Sequence, residues 1–130
     1  MSQKFPKAEH LKRKKIIDQL FVDGKSVKIF PVLLVYKEVE LPEESITIQA
    51  GFSVSKRNHK HAVTRNRIKR LLREAYRKNK HIVETNERTF AFMFIYMSRE
   101  ILTYADIEKI MIKVLNRFAA KLSETSKTSD

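Results

Sequence analysis

Apolar residues recur along this chain with changing periods, and each change marks an element. Ile17, Leu20 and Phe21 fall at i, i+3 and i+4, the stripe of a short helix, and Gly24 supplies its stop. Val27 to Val39 is rich in Val, Ile, Leu, Phe and Tyr, which suits strands; Pro31 splits the run in two because it cannot donate to a ladder. "LPEES" reads as a proline turn. In "SITIQAGFSVS" the period drops to two: Ile46, Ile48, Ala50, Phe52 and Val54 point one way, Thr47, Gln49, Gly51 and Ser53 the other. "AVTRNRIKRLLREAYRKNK" returns to helical spacing, and "TFAFMFIYM" is apolar on both faces, as a central strand is. Last, Ile107, Ile110, Met111, Val114, Leu115, Phe118 and Leu122 mark a long amphipathic helix, with Thr103 placed to cap it. The expected order is αβββαβα, one α+β domain over residues 1–122 with helices packed on a small sheet. Its ordered core begins near residue 8, and a polar, disordered tail occupies 123–130.

Composition narrows the class. With 130 residues and 42% hydrophobic content the chain can bury one modest core. No apolar run approaches the 18 residues of a membrane span, and "MSQKFPKAEHLKRKK" lacks the apolar centre of a secretory signal. Zero cysteines exclude disulfides and thiolate metal sites. These features suit a soluble protein of the reducing cytoplasm.

Charge changes the picture more. The chain carries +12 overall. Between Ser55 and His81 stand eleven basic residues against one acid, Glu74, so this segment holds +10 and the rest of the chain +2. Such concentration points to a polyanionic partner. On a helical wheel Ile68, Leu71, Leu72, Ala75 and Tyr76 form a core-facing stripe, while Asn66, Lys69, Arg70, Arg73 and Arg77 gather opposite and Arg67 extends their edge. Like charges this close repel by a few tenths of a kcal/mol per pair, so a ligand that neutralises them is favoured over an idle solvated face. Arginine dominates between Arg65 and Arg77, and its planar fork suits phosphates and bases. A membrane surface fits less well, because the apolar side of this helix is needed to cover the adjoining strands.

The stretch "FSVSKRNHKHAVTRNRIKRLLREAYR", Phe52 to Arg77, resembles the protein subunit of bacterial ribonuclease P, in the strand ending S-V-S-K and in the arginine-asparagine-arginine signature on a helix. "HLKRKKIIDQLFVDGKS" is similar to that family's opening segment at Leu11, Lys12, Phe21 and Gly24. The resemblance spans about residues 8 to 122. It implies a ribosomal-protein-like fold with a left-handed βαβ crossover. It also implies a role in an RNA-dependent endonuclease that removes the 5′ leader from precursor tRNA. In that family the RNA subunit is the catalyst and binds the Mg²⁺ ions, the protein has no catalytic residues, and no further protein partner or membrane is required. By the same resemblance Arg65, Asn66, Arg67, Lys69, Arg70 and Arg73 lie against the catalytic RNA. Phe21, Tyr36, Ser53, Lys56 and Arg57 line a cleft between the first helix and the open sheet face that holds the single-stranded leader.

The pattern departs from the family in three places. "NHKHAV" stands where a glycine-containing turn is common, the strand "ERTFAFMFIYM" lacks an expected Asp, and Ile17 replaces a frequent aromatic. His59 and His61 suggest a metal, but no Cys or paired carboxylate nearby completes a site. Phe90, Phe92, Phe94 and Tyr96 read as core rather than as a stacking surface. Three rivals are a general RNA-binding protein of similar fold, an autonomous metal nuclease and a DNA regulator. The nuclease has only the scattered Asp18, Asp23 and Asp106 to work with, and the regulator lacks a dimerisation heptad or helix-turn-helix spacing.

Overall fold

A computed structural model describes residues 4–41 and 45–128. The β-rich run after Gly24 folds as a hairpin: β1 (Lys25–Ile29) pairs antiparallel with β2 (Val32–Glu38) across a turn at Phe30 and Pro31, joined by a cis peptide bond. Pro31 therefore breaks the run as its missing N–H requires. The alternating segment becomes β3 (Ile48–Val54), the basic segment α2 (Ala62–Asn79) and the apolar run β4 (Phe90–Tyr96). β4 lies between β2, antiparallel to it, and β3, parallel to it, giving the order β1-β2-β4-β3. A parallel neighbour must be reached by a crossover, and α2 is that crossover. The element order matches the periodicities; most of the proline turn expected at 41–45 lies outside the described residues.

Each sheet face has its own core. On one, Leu34, Tyr36, Ala50, Phe92, Phe94 and Tyr96 pack under Ile68, Leu72 and Tyr76 of α2 and under Met111, Leu115 and Phe118 of α3 (Tyr104–Thr128). On the other, Val35, Ala91 and Met93 pack under Ile16 and Leu20 of α1 (Lys14–Asp23) and under Leu11. The result is three layers with β4 covered on both sides, which explains its lack of alternation. Thr103 caps α3 as its position suggests, its Oγ1 accepting from Asp106 N at 3.2 Å. Leu122 of α3 is buried, and the helix runs on to Thr128, into the stretch expected to be a polar tail.

Two details differ from the periodicity reading. The buried positions of α1 are Ile16 and Leu20, with Ile17 half-buried, while Phe21 is 57% exposed. Residues 4–11 also join the core without any periodic signal. Leu11 N donates to Ala50 O at 2.9 Å, Gln49 Nε2 donates to Ala8 O at 2.9 Å, and Phe5 meets the Tyr76 ring edge-on at 5.6 Å between centroids. The segment is pinned by an ion pair between Glu9 and Lys80 at 2.8 Å and covers the otherwise open edge of β3.

Gly24 ends α1 with an extended backbone, its N–H bonded to Leu20 O at 2.9 Å. A Cβ there would lie 2.2 Å from Leu20 O and 2.7 Å from Val35 Cγ1, so close approach rather than a left-handed conformation requires glycine. Gly24→Ala is expected to lower stability by about 1–3 kcal/mol in urea unfolding. Gly51→Ala, whose Cβ meets the flexible Met93 Cε at 3.1 Å, should lose less; equal losses would contradict this assignment.

Candidate nucleic-acid interface

The structure sorts the basic residues of α2 into distinct roles. Ile68, Leu72, Ala75 and Tyr76 are buried and Leu71 half-buried, so the apolar stripe faces the sheet and α3 as the wheel requires. Arg67, Arg70, Arg73 and Asn66 are exposed and Lys69 half-buried. Among the described residues none of these four cations meets a carboxylate; Arg73 instead lies 5.8 Å from the centroid of the Phe52 ring. Arg77 is different. Its guanidinium grips Glu74 through two hydrogen bonds, the shorter 2.5 Å, which holds the Glu74 carboxyl below its usual range. Glu74 thus offsets Arg77 and leaves Arg67, Lys69, Arg70 and Arg73 as the unneutralised face.

Arg65, half-buried, also braces the fold. Its Nη1 donates to the carbonyls of His59 at 3.0 Å and Lys60 at 2.7 Å, tying the β3–α2 loop to the first turn of α2. Asn58 Nδ2 donates to Met97 O at 3.3 Å, and His59 Nε2 to Ser98 O at 2.8 Å. A carbonyl can only accept, so Nε2 carries the proton. His59 is therefore a buried anchor of this loop, and no group of three or more His, Asp or Glu side chains that could hold a metal gathers among the described residues. The backbone through "NHKHAV" has no positive φ, so this loop holds its shape without the glycine common elsewhere. Charge counting missed this bracing role of Arg65, because an arginine bonded to carbonyls and one facing solvent look alike in sequence.

The second surface lies across the sheet from α2. α1 packs on β2 and β4 and covers Val35 and Met93. Beyond it Ser53, Leu33 and Ile95 remain half-buried on the same sheet face, and Lys56 and Arg57 stand exposed at the end of β3. Asp23 bonds Lys37 at 3.1 Å on one flank of α1. Ile17 and Phe21 project from the other flank. Lys37 and Leu33 sit on either side of Val35 along β2, so that other flank looks toward Leu33. Phe21 of α1 and Ser53 of β3 thus lie on the same side of the sheet, with Lys56 and Arg57 exposed just past the end of β3. Lys12, Arg13, Lys14 and Lys15 are exposed around the start of α1. Neither α1 nor α2 has an acid in its first turn, so cations crowd two positive helix ends. Each such contact costs about 0.3–1 kcal/mol, a cost an anionic ligand reverses.

Tyr36 is the correction. It belongs to the opposite face, 9% exposed and edge-on to Phe118 at 4.8 Å, lining a separate cavity of about 150 Å³ with Lys25, Arg88 and Lys121. β2 is apolar on both faces, so its sequence carries no alternation to show which way Tyr36 points; Val35 is the neighbour that faces α1. No tyrosine offers a phenolate. Burial raises all four, Tyr104 to about 12 with Glu108 adding to the effect.

An α+β domain with a basic crossover helix on one side of its sheet and exposed cations around the start of α1 on the other has the charge distribution of a nucleic-acid-binding protein. The ribonuclease P family profile matches residues 5–119. The ribonuclease P protein component of Porphyromonas gingivalis strain W83 is 35% identical over 129 aligned positions, covering 92% of this chain and 90% of the relative. That of Chlorobium phaeobacteroides is 46% identical over 76, covering 57% of this chain and 52% of the relative. The fold is similar to the ribonuclease P proteins of Thermotoga maritima, with TM-score 0.69, 20% identity and coverage of 84% and 96%, and Staphylococcus aureus, with 0.65, 24%, 84% and 94%. The chain belongs to the ribonuclease P protein family. It is accordingly the protein subunit of an endoribonuclease of tRNA processing and the partner of a ribonuclease P RNA. No described helix is long and apolar enough to cross a membrane.

Substituting Arg67 and Arg70 together by alanine is expected to weaken binding to the RNA subunit and to flatten its log–log salt dependence by about one unit per lost phosphate contact. Glu74→Gln, which removes the one acid of this segment, should do the reverse. If titrations over a salt series show the same slope for all three proteins, this face does not carry the contact.

Proposed function

We propose that this subunit works in the cytoplasm as a two-sided clamp. The exposed cations of α2 dock on the ribonuclease P RNA, and the cleft between α1 and the sheet holds the 5′ leader of precursor tRNA. The observation that carries this reading is the placement of two basic surfaces on opposite sides of one sheet. Arg67, Lys69, Arg70 and Arg73, with Asn66 among them, form the first; Phe21, Ser53, Lys56 and Arg57 form the second. Structured RNA is recognised by shape and backbone, which suits guanidinium groups on a rigid helix. A leader of varied sequence is held by stacking in a basic groove, about 1–3 kcal/mol per stacked base, a task for which the exposed Phe21, Lys56 and Arg57 have the right chemistry.

Hydrolysis itself is assigned to the RNA subunit. The described residues gather no group of three or more His, Asp or Glu side chains to seat Mg²⁺, and this reading gives the catalytic ions to the RNA subunit. The protein's contribution is electrostatic: its cations offset repulsion between catalyst and substrate, two polyanions, and so lower the Mg²⁺ needed to bring them together.

Reconstitution tests this reading. With a bacterial ribonuclease P RNA the protein should permit cleavage of precursor tRNA at Mg²⁺ concentrations where the RNA alone is inactive, and the protein alone should cleave nothing. Cleavage by the protein alone, or an RNA indifferent to it, would overturn the assignment. Phe21→Ala should weaken binding of leader-bearing tRNA to the holoenzyme by about fivefold or more, the lower end of one stacking contact, and leave mature tRNA unaffected.

A further inference from the structure

Strand pairing places one row of side chains across the whole sheet on the side that α1 only partly covers. Ser53 of β3 is opposite Ile95 of β4, Ile95 opposite Leu33 of β2, and Leu33 opposite Lys28 of β1. The adjoining row, Gly51, Met93, Val35 and Ser26, differs in that its centre lies under α1 and Leu11, and Val35 and Met93 are each 8% exposed. In the Lys28 row Leu33 and Ile95 remain half-buried and Lys28 is exposed. An apolar floor thus runs between a cation on the far edge strand and the Lys56–Arg57 pair at the end of β3.

The nearby sheet end adds an aromatic. Phe30, in the β1–β2 turn, is 65% exposed, and Met97, two residues beyond Ile95 on β4, is 37% exposed. Met97 N donates to Pro31 O at 2.7 Å and Met97 O accepts from Asn58, so hairpin turn, strand end and basic loop form one connected rim. Lys28, Lys56, Arg57, Lys60 and Arg99 are exposed on or beside that rim, and none pairs with an acid among the described residues. An exposed phenylalanine among unpaired cations, at the end of an apolar floor, has the chemistry of a single-stranded RNA track: rings and aliphatic surface for bases, ammonium and guanidinium groups for phosphates.

We infer that the leader path does not end at Ser53 and Phe21 but continues across the sheet to the β1–β2 hairpin, where Lys28 binds a phosphate and Phe30 stacks on a base of the distal leader. The inference rests on the leader-binding reading above and adds to it a second, separate subsite. The row crosses three strand spacings, ~14 Å, so the subsite is out of reach of a leader that stops beside Ser53. Charge complementarity and isolated aromatic exposure favour single-stranded RNA over a protein partner here.

The test uses holoenzyme reconstituted with Lys28→Ala, Phe30→Ala or Lys56→Ala and a ladder of precursor tRNAs with progressively longer leaders, binding measured for each. Lys28 and Phe30 are exposed, and thermal unfolding checks that their variants fold. With long leaders Phe30→Ala should bind about fivefold or more weakly and Lys28→Ala should flatten the salt dependence; with short leaders and mature tRNA both should match the parent protein. Lys56→Ala should lose affinity at every leader length and none with mature tRNA. Loss for Phe30→Ala and Lys28→Ala that is absent at all lengths, or equal for mature tRNA, overturns the distal subsite while Lys56→Ala remains leader-dependent. If Lys56→Ala is itself indifferent to the leader, the cleft reading fails and the subsite with it.

Discussion

The parallel pairing of β3 with β4 is the constraint from which the rest follows. Neighbouring parallel strands cannot be joined by a tight turn, so the chain must leave the sheet, run as a helix and return. That helix, α2, has to bury Ile68, Leu72, Ala75 and Tyr76 against the sheet and α3, and its opposite side is then held outward on a rigid element. The same pairing makes β4 central and apolar on both faces. It therefore needs a cover on its other side, which α1 supplies over Val35, Ala91 and Met93 without reaching Ser53, Ile95 and Leu33 as completely. One topological demand thus yields a projecting basic face and a partly open cleft with the sheet between them.

Electrostatics explains why these surfaces are unfinished in the isolated protein. Glu74 has a partner in Arg77, Glu38 in Arg88, Asp23 in Lys37 and Glu9 in Lys80, so several acids are already engaged within the fold. Many of the cations left over lie on the outward side of α2, around the start of α1 and along the rim near Phe30, while Lys109, Lys113 and Arg117 are exposed on α3. The first turns of α1 and α2 oppose their own helix dipoles. A polyanion relieves all of these together, and exposed pairs of this kind contribute little to stability on their own.

The α2 wheel was legible because a mixed sequence on one helix separates into two faces at 3.6-residue spacing, and β3 was legible through its alternation. Legibility failed where that contrast was missing. Tyr36 lies in a strand apolar on both faces, so its direction follows from pairing with β1 and β4, which is long-range information. Phe21 falls at helical spacing with Ile17 and Leu20, yet α1 is short and its buried side is centred on Ile16 and Leu20, one step around the wheel. Phe5 and the segment around it have no period at all, and their place is set by the free edge of β3. Arg65 and Arg67 are two residues apart in one signature and do different work, the first bracing a loop and the second facing solvent.

The central claim, two RNAs held on opposite sides of one sheet, can be read directly because the protein has no cysteine. Single cysteines at Arg70 and at Ser53, each carrying a photoactivatable cross-linker, would be assembled into holoenzyme with precursor tRNA and irradiated. The account predicts cross-links from position 70 to the ribonuclease P RNA and from position 53 to the tRNA leader. Both positions reaching the same RNA, or the two exchanging partners, would contradict it.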